Sequence, residues 1–199
     1  SDPRRRQNPS KDADHQFCLR PRTHNLLSGD GKMQRLLMLP FILQALAIAF
    51  DEGIFHYRRG LPLWERIGHP FDTLGTLVCM LFVLFVPYSP LSLKIYIGLA
   101  IFSSVLITKD EFVHKEHCPG AEQWLHATLF VLHPVTLVAA GLIWPAAQGT
   151  QTAHWLSPWI ENPSQLALFL RMQACAMALF LTYQIVLWNA ISKGTAKNL

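Results

Sequence analysis

Lys109-Asp110-Glu111-Phe112-Val113-His114-Lys115-Glu116-His117-Cys118-Pro119-Gly120-Ala121-Glu122-Gln123-Trp124-Leu125-His126 is a polar stretch set between two apolar runs, Leu91–Thr108 and Trp124–Trp144. It gathers Asp110, Glu111, His114, Glu116, His117, Glu122 and His126 within a few turns of chain. A charged side chain at the middle of a bilayer costs about 2.5–3.5 kcal/mol on insertion scales. A chain that spends few charges elsewhere and concentrates them here points to a functional site.

Only 15% of the 199 residues are charged and 51% are hydrophobic, against roughly 25% charge in a soluble domain. The apolar residues fall into five runs, Leu36–Phe55, Phe71–Tyr88, Leu91–Thr108, Trp124–Trp144 and Leu166–Trp188. Each approaches or exceeds the roughly 20 residues that cross the hydrocarbon core as a helix. Helices satisfy their own backbone there, where water is missing. The expected fold is therefore all-α, an integral membrane bundle of about five transmembrane helices. Four of these form the bundle proper, with a polar His/Asp/Glu cluster at one membrane face, and the fifth packs outside it.

Residues 1–32 differ in kind, being rich in Arg, Asp, Asn, Pro and Ser. They read as a disordered or non-native leader, and 33–199 as one transmembrane helical domain. The net charge of +4 is carried by ends and loops, which suits bilayer headgroups and leaves no nucleic-acid face. Cys18, Cys79, Cys118 and Cys175 show no Cys-x-x-Cys pair, so a disulfide framework is not expected.

Alternating the spans brings the ends of the first and third runs, and the starts of the second and fourth, to one membrane face. Arg58, Arg59, Arg66, Lys109, Lys115, Lys193 and Lys197 lie on that face, and the positive-inside rule makes it cytoplasmic. Pro70 reads as the start of the second helix, leaving Leu61–His69 as an interfacial connector.

Residues three or four apart share a helix face. Glu52/His56 and Glu122/His126 are four apart, while Glu111/His114 and His69/Asp72 are three apart. Four helices thus each bring a carboxylate and an imidazole to one level. Oxygen and nitrogen donors without thiolates suit a divalent metal, with iron the first expectation and manganese or zinc the alternatives.

Glu111-Phe112-Val113-His114 resembles the Glu-x-x-His motif of the di-iron carboxylate proteins built on four-helix bundles. Glu52-Gly53-Ile54-Phe55-His56 and Glu122-Gln123-Trp124-Leu125-His126 are one residue longer, and His69-Pro70-Phe71-Asp72 reverses the order. The His-x-x-His-His boxes of membrane desaturases are missing. The resemblance implies Glu52, Glu111 and Glu122 as bridging or terminal ligands and His56, His114 and His126 as nitrogen ligands. His69, Asp72, Asp110 and His117 would complete the site.

The expected function is a metal-dependent oxidoreductase, with di-iron a possibility, acting on a lipid or other apolar substrate. The alternatives are a cation or proton transporter using the same cluster, and a membrane protein whose charged face docks a partner. His133, seven residues beyond His126 and about 10 Å deeper, reads as a core histidine bonded to a neighbouring helix.

Overall fold

The computed structural model of the chain describes residues 31–56, 63–110 and 119–191. Helix α1, Gly31–Phe50, runs directly into a π-helical turn, Asp51–His56. Helix α2 spans Leu63–Phe85, and α3, Pro90–Leu106, ends in a 3-10 turn over Ile107–Asp110. Helix α4 spans Gly120–Ala147. A loop with a short 3-10 turn leads to α5, Pro163–Tyr183, which continues as π-helical winding over Gln184–Ile191. Residues 1–30, on which most of the expected leader falls, lie outside the described residues.

All five helices are long and apolar enough to cross a membrane. Their outward faces carry exposed apolar side chains such as Phe85, Phe102, Val105, Val138 and Leu179, as a lipid-facing surface requires. The described residues contain no strand, in line with the all-α expectation.

Two features differ from that expectation. Helix α2 begins at Leu63, so most of the anticipated connector is helical and Pro70 lies in the helix interior. Proline withholds one backbone donor there, and the helix continues through it. Consequently Glu65 and His69 stand four apart on one helix face. The second difference is the place of α5. Helix α4 is central and packs on every other helix, α1 lies along α4, and α5 packs on both α2 and α4. The fifth helix is a wall of the structure rather than an outer attachment.

The end of the bundle away from the polar cluster is its dense core, built around Phe41, Met80, Tyr96, Leu137, Ile143, Trp144, Leu166 and Leu170. Tyr96 reaches α4 and donates to the Leu137 carbonyl at 2.6 Å. A Cβ on Gly141 would lie 3.0 Å from the Tyr96 ring, so the ring's approach needs glycine there. Ser89 and Ser92 form a reciprocal capping box at the start of α3. Gln148 donates to the carbonyls of Val83 and Val86 and accepts from the Tyr88 amide at 2.9 Å. These bonds lock the α2–α3 turn to the end of α4. The opposite halves of the helices are left to build a site.

Candidate metal centre

The π-helical turn is what creates the first half of the site. In an α-helix, Asp51 and Glu52 point about 100° apart, and only Glu52 aligns with His56. The i→i+5 pattern of a π turn brings Asp51 round as well, and Asp51, Glu52 and His56 are all buried. His56 Nδ1 donates to Glu52 Oε2 at 3.1 Å. Glu52 Oε1 in turn accepts from the Tyr183 hydroxyl at 2.9 Å and the Trp188 indole at 2.7 Å. Both Glu52 oxygens are therefore engaged. Glu52 thus orients His56, and Asp51 stands beside the same ring at the cluster.

With its Nδ1–H committed to Glu52, the His56 ring turns Nε2 toward other acidic oxygens. Nε2 lies 3.3 Å from Asp51 Oδ2 and 3.9 Å from Glu122 Oε1. Across the bundle, His126 Nε2 is 3.1 Å from Asp51 Oδ2. Asp51, His56, Glu122 and His126, all buried, each offer a ligand atom within 4.8 Å of the others. Metal–ligand bonds of about 2.0–2.2 Å keep two ligands of one ion within about 4.4 Å of each other. A contraction of a few tenths of an ångström would let the group close on an ion. Its composition and spacing are those of a site able to hold a metal ion.

A second group, His56, Glu65 and His69, shares His56 with the first. The His56 and His69 ring centroids are 4.8 Å apart, and His126 stands 6.2 and 6.4 Å from them. Three imidazoles from α1, α2 and α4 thus converge. Asp51, Glu52, Glu65 and Glu122 are all buried beside them. Asp51 Oδ1 and His56 Nε2 are buried and make no hydrogen bond among the described residues, which also fits a metal.

The other candidates separate clearly. Glu122, His126, His56 and His69 are brought together. Asp72 pairs with Lys109, whose Nζ lies 2.6 and 2.7 Å from its two oxygens. Glu111, His114 and His117 lie outside the described residues, as does the side chain of Asp110. The sequence reading missed Asp51, hidden by the assumption of α-helical spacing, and Glu65, hidden by placing the helix start at Pro70. The Glu65/His69 spacing was the available signal.

Below the cluster lies a cavity of about 300 Å³ walled by all five helices, α3 contributing through Ile107 at its end. Its walls include Ala45, Ile48, Leu129, Phe130, Met177 and Phe180. His133 lines it with both ring nitrogens engaged, at 3.3 Å from Gln44 Nε2 and 3.0 Å from Ser103 Oγ. It is a satisfied core histidine. Comparison with protein-family models, curated proteins and solved structures gives no match to this chain. Fold and site together define an all-α chain of five potential membrane spans around a buried carboxylate–imidazole centre.

Proposed function

We propose that this protein is a membrane-embedded, metal-dependent oxidoreductase that acts on a lipid or other apolar substrate. The observation that carries the metal is the Glu52–His56 pair. A carboxylate fixing Nδ1–H and leaving Nε2 to the cluster is the usual setting of a metal-ligating histidine. Asp51, Glu122 and His126 would complete one position, and Glu65 and His69 a second beside it, with His56 between them. Paired positions rich in carboxylate and imidazole favour iron, and iron when bound would supply the redox chemistry. The chain's own residues orient that centre, keep it dry and hold the substrate against it.

The substrate class follows from the cavity. Helices α1 and α5 meet on one side of it through Phe41 and Phe169, with ring centroids 5.3 Å apart. They meet on the other side where Tyr183 and Trp188 reach Glu52. Between these contacts the rim carries the exposed small residues Ala45, Ala49 and Ala176. This gap faces where the bilayer would lie, so an apolar molecule would enter sideways. The basic loop residues favour a cytoplasmic position for the cluster under the positive-inside rule.

The test is iron-loaded protein in lipid vesicles given a reductant and oxygen. Oxygen uptake that depends on added lipid, with an oxidised lipid seen by mass spectrometry, is expected, and His126→Ala should abolish both. Stoichiometric metal without any such turnover would overturn the oxidoreductase reading and leave the metal site standing.

A further inference from the structure

We infer that the substrate cavity ends in a polar subsite, and that the substrate is an amphiphile carrying a hydroxyl about 10 Å from the group presented to the metal centre. This deepens the proposed function and rests on that reading for the identity of the reacting end.

The subsite is built by Gln44 and Thr136. Gln44 is 9% exposed and Thr136 4% exposed. Gln44 Oε1 and Thr136 Oγ1 are both buried and make no hydrogen bond among the described residues. Buried polar atoms left unpaired are destabilising, so a pair of them on one cavity marks a place for a polar guest. Both residues line a pouch of about 60 Å³, walled also by Phe41, Met80 and Gln173. The pouch shares Gln44, Ala45, Ile48, Thr76, Gln173 and Met177 with the larger cavity and so adjoins it.

The Gln44 amide is held in place. Ser103 engages His133 Nε2, and His133 Nδ1 accepts from Gln44 Nε2. That chain uses the nitrogen of the amide and leaves the oxygen as an acceptor. The Thr136 hydroxyl can both donate and accept, so one guest hydroxyl satisfies both residues. Gln44 lies on α1 seven residues before Asp51, which sets the separation of about 10 Å between subsite and centre. The wall between them is mainly apolar, with Ala45, Ile48, Leu129 and Phe130 beside Thr76. An apolar chain with polar groups at both ends matches this order of surfaces.

The probes are a medium-chain α,ω-diol and the mono-alcohol of the same chain length. Their binding to the purified protein is measured in detergent alongside its metal content. The diol should bind about tenfold more tightly, the worth of one or two net hydrogen bonds. Thr136→Val and Gln44→Leu, which preserve side-chain size, should each remove most of that preference while metal content stays unchanged. Thr136→Val leaves the Gln44–His133 bond intact and so serves if Gln44→Leu fails to fold. Equal binding of the two probes to a metal-loaded wild type would overturn the inference alone. So would a diol preference that survives Thr136→Val, since the hydroxyl would then sit elsewhere. A diol preference in a protein that takes up no metal would overturn the proposed function and leave the subsite.

Discussion

Asp51 Oδ2 lies 3.1 Å from His126 Nε2 and joins two residues 75 positions apart. One level deeper, Gln44 and His133 are joined at 3.3 Å. Each partner of the second pair is seven residues from its counterpart in the first, on antiparallel α1 and α4. These two rungs fix the register of the helices, and the upper one bounds the carboxylate–imidazole cluster. Asp51→Asn keeps the size of the side chain and removes its charge. It should lower metal affinity by at least about tenfold without loss of the folded protein, as read by competition with a chelator of known affinity.

Glu52 acts through His56, so its neighbours should tune the centre. Tyr183→Phe removes one donor to Glu52 Oε1 and leaves the Trp188 indole in place. A weakening of metal binding of up to about tenfold is expected, with Glu52→Gln weaker still, in the range of about 10–100-fold for groups that orient ligands. If Glu52→Gln kept full affinity, the orientation of His56 would have to come from elsewhere.

Lys109 and Asp72 should be structural. Lys109→Ala leaves a half-buried carboxylate without its ammonium. The expected loss is about 1.5–3 kcal/mol, typical of a charged hydrogen bond, seen as a lower midpoint in thermal unfolding. Metal content should not change. Asp72→Asn combined with Lys109→Ala should cost less than the sum of the two, because the pair acts as a unit. A loss of metal in Asp72→Asn would return Asp72 to the centre.

Imidazole binds metal as the neutral base, and an unperturbed histidine titrates near pH 6.5. Metal binding releases protons, so affinity is full above that range and falls as the pH drops through and below it. Dialysis at stepped pH should show metal retained in mildly alkaline buffer and lost progressively on acidification. Retention unchanged far below that range would indicate carboxylates alone as ligands.

The legible part of this protein was what depends on composition. Five apolar runs can satisfy their backbone in only one way within a bilayer, and their alternation brought Glu122, His126 and His56 to one end. The rest depended on local winding. The spacing rule for α-helices selects Glu52 and passes over Asp51, which a π turn brings round beside His56. Pro70 marks helix starts often enough to hide Glu65, yet α2 runs through it. Asp72 carries the right chemistry, but nothing in its spacing shows that Lys109, 37 positions on, would take it. Tyr183 and Trp188 reach Glu52 only because α5 packs inside the structure, which no periodicity encodes.

In the proposed function the carboxylate–imidazole cluster holds metal at two adjoining positions with His56 between them. Elemental analysis of the detergent-purified protein, expressed with iron and compared with His56→Ala, tests it most directly. Close to two equivalents of metal per chain are expected in the wild type, with near-complete loss in His56→Ala although the variant still inserts and purifies. A wild type that carries no metal under these conditions, or a His56→Ala protein that keeps its full complement, would contradict it.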